Sequence, residues 1–150
     1  MNYEERITKF KKSLEHPFLV TEIGDLFYLL GFQGSTGFLL VFPDDTPIFF
    51  CDGRYTTQAQ EEIKVKVGIH EFKNEVTRII KEVISSNGYQ KLLIEDSLRV
   101  GFYERLKDQG LEVIPISSPS RQMRMIKEEE EIEEIKKAVE ISEQALKKII

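Results

Sequence analysis

The chain has 150 residues, enough for one domain with a sizeable core, and 41% of them are hydrophobic against 31% charged, the balance of a folded globular protein rather than a disordered one. A net charge of −5, with Lys and Arg interleaved among Glu along the whole length, argues against a nucleic-acid binder, which needs a basic stripe to neutralise phosphates. The single cysteine, Cys51, cannot form an internal disulfide, and the longest apolar run, Gly37 to Phe42, is far too short to span a bilayer.

The N-terminal segment MNYEERITKFKK is charged and amphipathic, without the apolar stretch of a signal peptide, which favours a cytoplasmic protein. Tyr3, Ile7, Phe10 and Leu14 lie at the spacing of one helical face, and Pro17 ends that helix. Phe18-Leu19-Val20 reads as a short buried strand. Thr21 is placed to cap a helix from about Ile23 to Leu30, which Gly31 stops. Gly37 to Phe42 and Pro47 to Cys51 read as a hairpin about the turn Pro43-Asp44-Asp45-Thr46, with Cys51 as a small buried hydrophobe.

Tyr55 to Ile63 follows as a helix, and Val65, Val67 and Ile69 alternate as a half-buried strand should. Val76, Ile79, Ile80, Val83 and Ile84 form the apolar face of the next helix, stopped at Asn87-Gly88. Lys91 to Glu95 is a strand, Phe102, Tyr103 and Leu106 mark a helix ending at Gly110, and Leu111 to Ile116 is a last strand. The order from Val65 onward predicts a mostly parallel half joined to the antiparallel hairpin, an α/β class with a mixed sheet flanked by helices.

Ser117-Ser118-Pro119-Ser120 reads as a linker, and Lys127 to Ile150 as one long helix. The acidic run Glu128 to Glu131 suits the positive end of the helix dipole and reads as a solvated helix start. Ile132, Ile135, Val139, Ser142, Leu146 and Ile149 make an apolar seam with no Gly, Asn or Pro to stop it, so the expectation is further chain beyond Ile150 or a partner on the seam.

Few residues point to chemistry. Gly31-Phe32-Gln33-Gly34-Ser35-Thr36-Gly37 lacks the Lys-Ser/Thr of a phosphate loop, and a strand follows where a dinucleotide-binding helix would begin. It reads as a glycine-permitted turn or as a loop lining a substrate pocket. Asp52-Gly53-Arg54-Tyr55 joins a strand to a helix, with Asp52 placed to cap and Arg54 able to pair with Asp52 or a nearby Glu, or to meet a carboxylate of a ligand. His16 and His70 have no second ligand at metal-binding spacing, and no Gly-x-Ser-x-Gly occurs. No catalytic residue and no metal ligand is assigned.

Three motifs in order carry a resemblance. Tyr28-Leu29-Leu30-Gly31-Phe32 is similar to the Tyr-Leu-Thr-Gly-Phe of the creatinase/prolidase/Xaa-Pro aminopeptidase family, with Leu30 in place of Thr. Asp52-Gly53-Arg54-Tyr55 with Gln58-Ala59 resembles that family's second signature. Arg124-Met125-Ile126-Lys127, then Glu131-Ile132 and Ala138, resembles the linker and first helix that lead into its catalytic domain.

The resemblance implies a ribonuclease-H-like amino-terminal domain over residues 1–126, and a helix over 127–150 leading toward a pita-bread catalytic domain. It implies a parent enzyme that removes residues adjacent to proline using two divalent metals (Mn, Co or Zn) held by residues beyond Ile150. It implies a homodimer in which this domain leans over the partner's active site and limits access to short proline-containing peptides. By that analogy Phe32, Gln33, Gly34, Ser35 and Arg54 are substrate-proximal. The rival expectations are a stand-alone peptide- or protein-binding module and a coiled-coil element over 127–150, which Ser142 interrupts.

Overall fold

Alternation along the strands sorts the apolar residues onto two faces, and helices close over both. The computed structural model describes all 150 residues, Met1 to Ile150. The elements in chain order are α1 (Tyr3–Lys12), β1 (Phe18–Val20), α2 (Ile23–Leu30), β2 (Phe38–Val41), β3 (Ile48–Cys51), α3 (Thr56–Glu62), β4 (Gly68–Glu71), α4 (Val76–Ser86), β5 (Lys91–Glu95), α5 (Val100–Asp108), β6 (Glu112–Ile116), α6 (Pro119–Met125) and α7 (Glu129–Ile149).

The six strands form one sheet in the order β4-β3-β2-β1-β5-β6. β2 runs antiparallel to both β1 and β3, while β3 with β4, β1 with β5, and β5 with β6 are parallel. Phe18, Val20, Leu39, Val41, Phe49 and Cys51 face one core, under α1, α2 and α3. Leu19, Leu40, Phe50, Leu92, Ile94 and Val113 face the other, under α4 and α5. The period of two in strand side chains makes this division automatic once the register is set.

The predicted mixed α/β sheet flanked by helices is the observed architecture, with several corrections. The strand expected around Val65, Val67 and Ile69 begins only at Gly68, where pairing with Ile48 starts. Upstream, the Lys64 N–H donates to the Leu30 carbonyl at 2.9 Å, tethering that segment to the end of α2, so Val65 turns into the first core instead. β4 also lies at one edge of the sheet, with β3, β2 and β1 between it and β5, so the hairpin sits inside the sheet rather than beside a contiguous parallel half. Thr21 does not cap α2: Glu22 holds that position, and the Thr21 hydroxyl goes to Glu95.

The segment expected to be a Ser-Pro linker contributes a helix. Pro119 occupies the first turn of α6, where a missing N–H costs nothing. Ser118 and Ser120 are buried and both donate to Asp25 Oδ2, while Arg124 Nη1 donates to Asp25 Oδ1 at 2.8 Å. One buried carboxylate on α2 thus holds both ends of α6, a use that the isolated Ser-Pro pattern does not reveal.

The acidic start of the last helix is likewise not simply solvated. Arg6, on α1 and only 4% exposed, donates from Nε to Glu128 Oε1 at 2.8 Å and from Nη1 to the Tyr28 carbonyl at 2.9 Å. Its Nη2 lies 3.1 Å from Glu131 Oε1, near enough for attraction though not aligned as a hydrogen bond. The guanidinium also stacks 3.9 Å from the Tyr28 ring centroid. Beyond this anchor α7 has no buried residue, and Ile135, Val139, Leu146 and Ile149 stay exposed.

The hydrogen bond from Arg6 holds the Glu128 carboxyl below its ordinary value. A depressed carboxyl stabilises the fold above its unfolded value, near 4.5, and loses that contribution as pH falls through the folded one. Arg6→Met, which keeps the apolar stem, is expected to speed amide exchange at residues 131–134 while the sheet amides keep their protection. The wild-type chain should show the same selective loosening as pH drops below 4.5.

Candidate functional site

Five strands, β1, β3, β4, β5 and β6, point one way and β2 the other. Their carboxyl ends therefore share one edge with the start of β2. The connections on that edge are residues 21–22 after β1, 32–37 before β2, 52–55 after β3, 72–75 after β4, 96–99 after β5 and 117–118 after β6. The chain leaving β1 turns into α2 over one face and the chain leaving its parallel neighbour β5 turns into α5 over the other, so the two diverge. Open α/β sheets commonly bind ligands at such a point.

The divergence leaves a cleft of about 770 Å³. It is bounded by Thr21 to Gly24, Ser35 to Phe38, and Ser97 with the first turns of α5. Phe38 and Phe102 stack in it with centroids 5.2 Å apart and planes at 29°. Ser97 Oγ donates to Glu22 Oε1 at 2.6 Å, which bridges the two walls.

Behind the cleft sits Glu95, the last residue of β5 and 1% exposed. Its Oε1 accepts from the N–H groups of Thr21 at 2.9 Å and Glu22 at 3.1 Å, and its Oε2 from the Thr21 hydroxyl at 2.6 Å. These bonds favour the ionised form, but burial outweighs them and pushes the carboxyl above its ordinary value.

The structure gathers the sequence-predicted residues on this edge in unequal roles. Gly31, at φ 78°, ends α2 in a left-handed turn that a side chain would strain. Phe32 then enters the core at 0% exposure and packs on Phe49 at 4.8 Å between centroids. Gln33 is exposed, its N–H donating to Glu62 Oε2 at 2.7 Å. Gly34 is buried, and a Cβ there would lie 2.2 Å from the Phe32 ring. Ser35 is exposed, and its hydroxyl is paired with the Tyr55 hydroxyl.

Arg54 lies at the same edge. Asp52 does not cap α3, whose N-cap is Tyr55. The Asp52 carboxylate instead accepts from the Arg54 backbone N–H at 3.0 Å and from its guanidinium at 3.0 and 2.8 Å. The guanidinium stands 5.3 Å from the Tyr55 ring centroid. Arg54 is thus preorganised and exposed, joined to Ser35 through Tyr55. Sequence reasoning missed Glu22, Glu95, Ser97, Arg99 and Arg105, because nothing local in the chain announces that β5 lies beside β1.

No group of three His, Cys, Asp or Glu side chains is placed to hold a metal ion. The nearest acidic groups, Glu22, Asp25 and Glu95, are each occupied by protein donors, and the residues of this chain do not fit a divalent metal. No helix is long and apolar enough to cross a membrane.

Fold and edge together define an α/β domain of the ribonuclease-H-like kind whose carboxyl-end edge carries a cleft but no metal-ligand set. The chain belongs to the creatinase/prolidase N-terminal domain family, whose model matches residues 7–126. It is 30% identical over 135 residues to the uncharacterized peptidase YqhT of Bacillus subtilis (strain 168), covering 88% of this chain and 38% of that protein. The Xaa-Pro dipeptidase from Bacillus anthracis superposes at a TM-score of 0.91 with 27% identity, over 99% of this chain and 43% of that one. The N-terminal domain of the cytoplasmic peptidase PepQ from Mycobacterium tuberculosis H37Rv superposes at 0.68 with 25% identity, over 79% of this chain and 97% of that domain. The chain thus spans about two fifths of the two longer relatives.

Gly34→Ala is expected to destabilise the fold by about 1–3 kcal/mol, because Phe32 is wedged against Phe49 and cannot yield; chemical denaturation measures it. For Glu95 the sign is opposite to that of Glu128. A raised carboxyl favours folding fully below the unfolded value near 4.5, and that contribution is lost as pH rises through the folded value. The stability of Glu95→Gln relative to wild type should therefore improve between pH 4.5 and 8, measured by urea unfolding at both.

Proposed function

We propose that this chain acts as the non-catalytic N-terminal domain of a cytoplasmic, proline-specific metallopeptidase, an Xaa-Pro dipeptidase or aminopeptidase. The observation that carries the reading is the superposition on the Bacillus anthracis Xaa-Pro dipeptidase over 99% of the chain, α7 included, in a protein more than twice as long. Residues 1–126 are the domain, and residues 127–150 lead toward a catalytic domain that supplies the ligands for two divalent metals, Mn, Co or Zn. Such a pair would activate a water and polarise the scissile carbonyl.

The residues of this chain take the other part of the work. In a homodimer the exposed Gln33 and Ser35 and the preorganised Arg54 stand toward the partner subunit's substrate and restrict it to short proline-containing peptides. Phe32 and Gly34 shape the loop from beneath, since one is core and the other gives that core room.

The test is peptidase activity of the longer protein that carries this domain. Xaa-Pro peptides should be hydrolysed, a chelator should abolish turnover, and divalent metal should restore it. Gln33→Ala and Arg54→Ala should raise KM several-fold for tri- and tetrapeptides with kcat little changed, the signature of lost binding. A longer protein that binds proline-containing peptides but never cleaves them would replace this reading with that of a peptide-binding module.

A further inference from the structure

We propose that the cleft beside β1 is a carboxylate-binding subsite in which Arg99 anchors the C-terminal carboxylate of a short peptide lying over the Phe38–Phe102 pair. The proposal rests on the peptidase reading for its ligand class and adds a residue and a chemistry to it.

The chain has seven arginines, and six have a carboxylate oxygen within 4.0 Å. Arg99 has none, although the protein carries 26 acidic residues and a net charge of −5. It stands exposed at the N-cap of α5, on the wall of the cleft. The charged groups facing the cleft are Glu22, Arg99 and Arg105. Glu22 is occupied by Ser97, and Arg105 is partly engaged by Glu75 at 3.9 Å. One guanidinium with no ion-pair partner is left for a ligand.

The rest of the cleft suits what would accompany that carboxylate. Phe38 and Phe102 give a flat apolar floor, and the Arg105 guanidinium extends it, 5.4 Å from the Phe102 centroid. Thr36, on the loop before β2, adds a hydroxyl to the lining for peptide groups, beside Ser35, whose own hydroxyl is paired with Tyr55. A volume of about 770 Å³ falls in the range of sites for molecules of di- and tripeptide size. Arg binds a carboxylate through two parallel N–H···O bonds, which a terminal amide cannot accept equally.

Titration of the isotopically labelled chain, followed by its amide resonances, tests this with the tripeptide Ala-Pro-Leu as free acid. Shifts should concentrate at residues 35–38 and 97–102. Ala-Pro-Leu amide and Ala-Pro-Asp amide should each bind about tenfold or more weakly, as should the free acid to Arg99→Gln. Arg99→Lys should recover part of the loss, and Arg78→Gln, on an exposed helix face, should change nothing; the same spectra report that each variant is folded.

Equal binding of free acid and amide, undiminished binding to Arg99→Gln, shifts elsewhere, or no binding at millimolar peptide would each overturn the subsite. Binding of Ala-Pro-Asp amide as tight as the free acid would overturn the C-terminal assignment in favour of an acidic side chain. Hydrolysis of Xaa-Pro peptides by the longer protein alongside any of these failures would leave the peptidase reading intact, so the two can fail separately.

Discussion

The three residues of β1 are buried on both faces, and the layout of the domain follows from where that strand sits. Phe18 and Val20 face one core and Leu19 the other, so the strand has no solvent side. Its backbone is satisfied by β2 running against it and β5 running with it. From the carboxyl ends of β1 and β5 the chain goes to α2 on one face and to α5 on the other, and that parting opens the cleft. Glu95 then ties the parted chain back to β5 by taking the N–H groups of Thr21 and Glu22, which would otherwise have no sheet partner.

Three buried ionisable groups do work that apolar packing cannot. Asp25 holds α6, Arg6 holds the start of α7, and Glu95 holds the exit of β1. Desolvation offsets much of what such contacts gain, so their value lies less in net stability than in geometry. A hydrophobic contact tolerates sliding, whereas a guanidinium shared between a backbone carbonyl and a carboxylate has one arrangement. α7, with no core of its own, takes its direction from that contact.

The loop before β2 divides adjacent residues between core and surface. Phe32 goes inward, and Gly34 is small because Phe32 has taken the space a side chain would need. Gln33 and Ser35, alternating with them, are left outward at the rim beside Arg54 and Tyr55.

Much of this was legible in the chain alone, because helical and strand periodicities are local. The helical faces, the hairpin, the Gly31 stop and the kinship written in Tyr28 to Phe32 and Asp52 to Tyr55 all follow from neighbouring residues. The spatial order of the strands does not: β4 lies at the far edge and β5 beside β1 because of pairings between segments far apart in sequence. The role of Glu95, the burial of Ser118 and Ser120, and the capture of the acidic helix start by Arg6 depend on those pairings. Composition and periodicity settle which residues must be hidden from water. Only the folded chain decides which polar groups meet once they are hidden, since a buried charge is stabilised by whatever partner the topology brings within hydrogen-bonding distance.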